Sequence, residues 1–135
     1  MATLQPILQV ADMEASIAFY RDVLGFSVNL TVPDDSGELV HAELSRKGAA
    51  LMFGPATGLS EAARALLGAG VTLYITDNDD DIDAFYQRVR AAGARIVDPI
   101  QDQEWGDRTF TVQDPDGYHL MFAKNVRPFE PPSRS

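Results

Sequence analysis

The chain has 135 residues, a length that suits one domain of ordinary size with a sizeable buried core. Eleven Lys and Arg against 20 Asp and Glu give a net charge of -9, which repels nucleic-acid backbones and anionic lipid surfaces. The absence of cysteine excludes a disulfide scaffold, a thiolate metal site and a Cys nucleophile, and no apolar run is long enough for a membrane span or a signal peptide. These features point to a cytoplasmic protein.

In chain order, Leu4, Leu8 and Val10 alternate with Gln5, Ile7 and Gln9, the pattern of a strand with one strongly apolar face. Asp12 is placed to cap the helix that follows, whose apolar stripe of Ile17, Tyr20, Val23 and Leu24 runs to Gly25. Phe26 to Val32 alternate as a second strand, Pro33 to Gly37 turn the chain, and residues 39–45 and 49–53 read as two more strands joined at Arg46-Lys47-Gly48. A Gly-rich connector spans residues 55–70 and holds a small helical pattern from Glu61 to Leu67.

The same order then recurs: strand 71–76, helix 80–92, strand 94–97, a loop through Trp105, and strands 109–113 and 118–123. Ala18-Phe19-Tyr20 returns 66 positions later as Ala84-Phe85-Tyr86, with an Asp before and a Gly after each copy, so the chain reads as a tandem duplication. Module 1 covers about residues 4–54 and module 2 about residues 71–124, both within a single domain, 1–135. Asp114-Pro115-Asp116-Gly117 is a strong turn signal, because Pro pre-sets φ and Gly is free to take positive φ. Residues 125–135, with Pro128, Pro131 and Pro132, read as an extended and loose tail.

The acidic run Asp77, Asp79, Asp80, Asp81, Asp83 does not fit a calcium loop, since Ile82 stands where the loop needs Gly and Arg88 where it needs Glu. Carboxylates at a helix N-terminus complement its dipole instead. No Gly-rich phosphate loop, nucleophile elbow or helical HExxH is present.

The segment from Val10 to Phe26, together with Asp114-Pro115-Asp116-Gly117, resembles the vicinal oxygen chelate superfamily of glyoxalase I, fosfomycin-resistance enzymes, extradiol dioxygenases and bleomycin-resistance proteins. The resemblance covers both modules. It implies an α+β fold in which two tandem βαβββ modules form an open cup-shaped barrel with helices outside, and it implies a homodimer.

It also implies where a divalent metal is held in the enzymes of the group. The ligand of the first strand, seven residues before the motif Asp, falls on Gln5 and, in the second copy, on Gly70. The ligands of the last strands fall on Met52 and Met121. Thioethers are poor ligands for zinc, manganese, nickel or magnesium and glycine offers no side chain, so neither a standard metal site nor any other cofactor is expected. His41, Glu43 and His119 either point into the cup as alternative donors or, more simply, face water and bond neighbouring strands.

In the family register the side chains facing the ligand include Gln5, Ile7, His41, Glu43, Met52, Thr72, Tyr74, Thr109, His119 and Met121, a mixed apolar and hydrogen-bonding lining. Trp105 either stacks on a flat or cationic ligand at the cup mouth or plugs a lobe or dimer interface. Arg108 pairs with an acidic ligand group or with a neighbouring Asp. No catalytic residue is assigned. The reading favours a metal-independent protein similar to the bleomycin-resistance branch that sequesters a cationic or aromatic ligand in a dimer groove, with no nucleic-acid or membrane partner. The alternatives are a glyoxalase-type lyase or isomerase with a non-standard site, using Glu43 or a histidine, and a metabolite-sensing accessory domain.

Overall fold

Backbone hydrogen-bond supply sets where the first strand begins. In the computed structural model, which describes residues 1–131, β1 spans Ile7–Val10, not the longer run from Leu4 that alternation suggests. Pro6 has no N–H to give to a ladder; its carbonyl accepts from the Met52 amide at 2.9 Å, and Leu4 is left exposed.

Asp12 then caps α1 (Met13–Ala18), its carboxylate accepting from the Ala15 amide at 3.0 Å. The helix continues as one π-helical turn over Phe19–Val23, in which the Leu24 amide reaches back five residues to the Phe19 carbonyl at 3.2 Å. Gly25 ends it at φ +79°, in the left-handed region that favours glycine. Strands β2 (Ser27–Pro33), β3 (Leu39–Arg46) and β4 (Ala49–Pro55) follow.

The chain divides into two compact units, the first comprising Met1–Gly70 and Asp114–Tyr118. Its sheet has the order β1-β4-β3-β2, with β1 parallel to β4 and the other pairs antiparallel. One face is dry: Leu8, Val10, Ala42, Leu44, Leu51 and Phe53 are buried there with Ile17 and Leu24 of the helical segment. Tyr20 sits at the centre, fully buried, edge-on to Phe53 at 5.0 Å and to Phe26 at 5.4 Å. Each such aromatic pair adds roughly 0.5–1.5 kcal/mol to the gain from apolar burial.

In the connector, Ser60 caps the short helix α2 (Glu61–Arg64) through the Ala63 amide. Gly68, at φ +76°, lies so close to the backbone of Gly117 and Tyr118 that a Cβ there would collide with it. The turn Asp114–Tyr118 is therefore tied into the first unit. Its Gly117 takes φ +94°, as the turn motif requires.

The second unit comprises Val71–Gln113 and, among the described residues, residues 119–131. Strand β5 (Thr72–Thr76) leads to α3 (Ile82–Ala91), capped by Asp81 through the Ala84 amide at 3.1 Å. Strands β6 (Arg95–Asp102), β7 (Asp107–Gln113) and β8 (His119–Asn125) complete a sheet of order β5-β8-β7-β6. This is the strand order of the first unit again. Phe85 and Tyr86 of α3 pack on Phe110 and Phe122, with Phe85 perpendicular to Phe122 at 4.9 Å.

Strand β6 is longer than its apolar pattern predicts and contains Pro99. The proline is tolerated because β6 is an edge strand whose register slips between Asp98 and Gln101, so no ladder donor is lost. The tail also differs from expectation at its start, since Val126 and Arg127 both donate backbone N–H to the Gly106 carbonyl. Pro132 and the residues after it lie outside the described residues.

Candidate functional site

Strand alternation sends one set of side chains from each sheet into the helix-packed core and the other set to the opposite, helix-free face. In the first unit the paired positions Ile7, Met52, Glu43 and Leu30 make one row across that face. Ile7 and Leu30 are exposed, and Met52 and Glu43 are half-buried between them. His41, two residues along β3 from Glu43, places Nε2 3.3 Å from its Oε1. Gln5 lies before the strand and is exposed, apart from this row.

The helix-free face of the second sheet carries the corresponding row Tyr74, Met121, Thr111 and Asp98. Thr72 and His119 pair in the next row, where the His119 ring nitrogen Nε2 lies 3.3 Å from the Gln113 Oε1. Thr109, read from the sequence as a lining residue, is only 1% exposed. Gln103 folds over it and donates to its hydroxyl at 2.9 Å.

Trp105 and Tyr74 are both exposed, at 42% and 44%, as is Phe129 of the tail. The indole Nε1–H donates to the Tyr74 hydroxyl at 2.9 Å, and that hydroxyl donates to the Asp107 carboxylate at 2.5 Å. Asn125 donates from its side-chain amide to the other Asp107 oxygen at 3.1 Å. The loop carrying Trp105 is held from its other side by Arg127, whose guanidinium donates to the carbonyls of Gln103 and Glu104 at 2.9 and 3.2 Å. Gly106 turns the loop at φ +100°, where a Cβ would run into the Arg127 carbonyl.

The hydrogen bonds to Asp107, that from Tyr74 foremost, hold its carboxyl below the usual carboxylate range. Burial and the bond to Asp107 push the Tyr74 phenol up. Asp107 and Asn125 escape a sequence reading because their partners lie far along the chain; the only local signal is that Asp107 follows Trp105-Gly106. Arg108 pairs with Asp102 at 2.6 Å and with Asp83 at 3.0 Å, the second of the two roles its position suggests.

The donor chemistry does not suit the divalent metal that the resemblance implies. At the centres of the two helix-free faces stand thioethers, Met52 and Met121. Among the described residues no three His, Cys, Asp or Glu side chains come together as a metal site would need. His41 and Glu43 form a pair without a third donor of that kind. No helix among the described residues is long and apolar enough to cross a membrane.

Comparison with known proteins places this geometry. The family model described as Glyoxalase/Bleomycin resistance protein/Dioxygenase superfamily matches residues 3–122. An uncharacterized protein of Mycobacterium bovis is 36% identical over 92% of this chain and 84% of its own length. Lactoylglutathione lyase of Haemophilus influenzae is 31% identical over 93% of both chains. The crystal structure of a bleomycin-binding protein complexed with bleomycin superposes with a TM-score of 0.67 at 25% identity, covering 93% of this chain and 99% of that one.

Proposed function

The chain belongs to the Glyoxalase/Bleomycin resistance protein/Dioxygenase superfamily, and within it we propose that it is a metal-independent protein that binds and sequesters a cationic or aromatic small molecule. The observation that carries this reading is the pair Met52 and Met121, one at the centre of each helix-free face. A thioether is soft, polarizable and conformationally adaptable, so it suits contact with a bulky guest and is a weak donor to hard cations. The flanking groups Ile7, Thr72, Tyr74, Trp105 and His119 add apolar area and a few hydrogen-bonding atoms, the composition of small-molecule sites in general. Similarity to a bleomycin-binding protein supports the same class of role.

In this reading the protein works in the cytoplasm as a homodimer whose groove takes the ligand, and its net charge of -9 favours cationic guests while disfavouring nucleic acid. Calorimetric titration with bleomycin, together with metal analysis of the purified protein, tests it. Saturable heat from a metal-free sample is the expected result. Stoichiometric, tightly held nickel, zinc or manganese would count against it, and so would the absence of heat at high ligand concentration. Sedimentation analysis checks the dimer.

The lyase relative and the His41–Glu43 pair support a second reading, acid–base chemistry by Glu43 with His41 as its partner. Formation of lactoylglutathione by wild-type protein, lost in E43Q, would favour it over sequestration.

A further inference from the structure

Both hydrogen-bond donors of the exposed Trp105–Tyr74 pair are already engaged. An indole has one donor, and the Trp105 Nε1–H gives it to Tyr74. The Tyr74 hydroxyl accepts that bond and donates its own hydrogen to Asp107. With both donors engaged, what the pair chiefly offers to a ligand is ring surface.

At the Tyr74 hydroxyl stands the Asp107 carboxylate, whose side-chain partners, Tyr74 and Asn125, are neutral. The contrast within the same unit is Arg108, which answers the charges of Asp102 and Asp83 directly. Neutral donors hold Asp107 ionised and leave its charge uncancelled. Their chain of hydrogen bonds also polarises in one direction, carboxylate to phenol to indole, which makes the rings more electron-rich. The loop is fixed by its bonds to Asn125, Val126 and Arg127, so little order has to be imposed on binding. Arg127 itself is engaged with the carbonyls of Gln103 and Glu104.

We propose that Trp105, Tyr74 and Asp107 form a preassembled seat for a planar cation, and that Asp107 is the residue that makes the seat prefer charge. The proposal rests on the small-molecule-binding reading above and narrows it: the guest is flat and positively charged, and it is held by ring faces and a fixed negative charge without hydrogen bonds donated by the indole or the phenol.

The test uses two flat compounds of similar size, the permanently charged N-methylquinolinium and neutral 4-methylquinoline, at pH 8. Trp105 is the only tryptophan, so its indole Nε1–H gives one NMR resonance to follow. In the wild type the cation is expected to bind roughly ten-fold more tightly than the neutral compound, as a cation over partly desolvated rings beside a carboxylate should. In D107N the side-chain oxygen still accepts the Tyr74 hydroxyl while the charge is gone, so cation affinity falls about ten-fold and that of the neutral compound stays put. Y74F keeps the charge and frees the indole N–H, so the resonance moves while the preference for the cation persists.

Raising the salt concentration on the wild type gives the same answer without a variant, weakening the cation alone. Equal affinity for the two compounds, or a D107N protein that retains the preference, overturns the charge role of Asp107 and leaves sequestration standing. No saturable shift of the indole resonance with either compound overturns the seat itself, while bleomycin calorimetry decides separately whether the binding function survives.

Discussion

Replacing Tyr20 by Phe removes one oxygen atom and leaves the ring, so it isolates a single buried bond. The Tyr20 hydroxyl donates to the Asp114 carboxylate at 2.7 Å, and the two residues are 0% and 4% exposed. The other Asp114 oxygen is already occupied by the amides of Asp116 and Tyr118, each at 2.9 Å. Burial pushes the carboxyl of Asp114 up and drives the Tyr20 phenol far above its usual range, the neighbouring carboxylate adding to the second effect. Y20F therefore leaves a desolvated carboxylate short of a donor. A hydrogen bond to a charged group contributes about 1.5–3 kcal/mol, and orphaning a buried acceptor puts the loss at the upper end, about 3 kcal/mol. For a chain of this length that corresponds to a fall in Tm of roughly 10 °C, read by calorimetry at neutral pH. D114N supplies the control, because its side-chain oxygen can still serve the two backbone amides. In a double-mutant cycle Y20F and D114N should couple by about 1–2 kcal/mol. A Y20F protein melting within about 2 °C of wild type, or strictly additive losses, would refute the role given to this bond.

Gly106→Ala should loosen the Trp105 loop, since a Cβ there meets the Arg127 carbonyl at a φ of +100°; the expected cost is about 1–3 kcal/mol, with a red-shifted, more quenchable tryptophan emission. The Asp107 carboxyl is held below its ordinary value of 3.8, so its contribution to stability is complete above that value and is lost as pH falls through the lower folded one. Urea melts between pH 5 and 2.5 should accordingly show a shallower acid decline in D107N than in wild type, and identical slopes would contradict the assignment. Met121→Leu, adjacent to Tyr74 in the strand register, should weaken binding of a planar cation by several-fold at a stability cost under about 1.5 kcal/mol, as near-isosteric swaps do.

The parts of the fold readable from the sequence are those whose causes are local. Asp12 caps a helix three residues on, Gly25 ends it, and the Asp114-Pro115-Asp116-Gly117 turn needs only its own four residues. The family resemblance was readable for the same reason, because it rests on contiguous motifs. Failures fall where the cause is distant. Strand β6 extends through Pro99 because no neighbour demands that missing N–H, a fact of sheet order. Gln5 drops out of the strand through Pro6 and the position of β4. Thr109 has the alternation of a lining residue, yet Gln103 closes over it. Asp107 is invisible as a site residue until Tyr74, 33 positions away, and Asn125, 18 positions away, are known to converge on it.

The two sheets show how one strand order is given two chemistries. Each helix-free face has methionine at its centre, Met52 in the first and Met121 in the second, but the residues beside them diverge: Ile7 in one row answers to Tyr74 in the other, and Glu43 to Thr111. The first face thus keeps a half-exposed acid next to a histidine, and the second keeps aromatic surface with an acid bonded to the Tyr74 hydroxyl. The Glu43 carboxylate shares its Oε1 with the His41 ring at 3.3 Å. Asp107, bonded only to neutral groups among its side-chain partners, carries its charge at every pH above its own titration. In the proposed reading, recognition of a cation therefore rests with the second face on electrostatic grounds, and the acid–base alternative rests with the first.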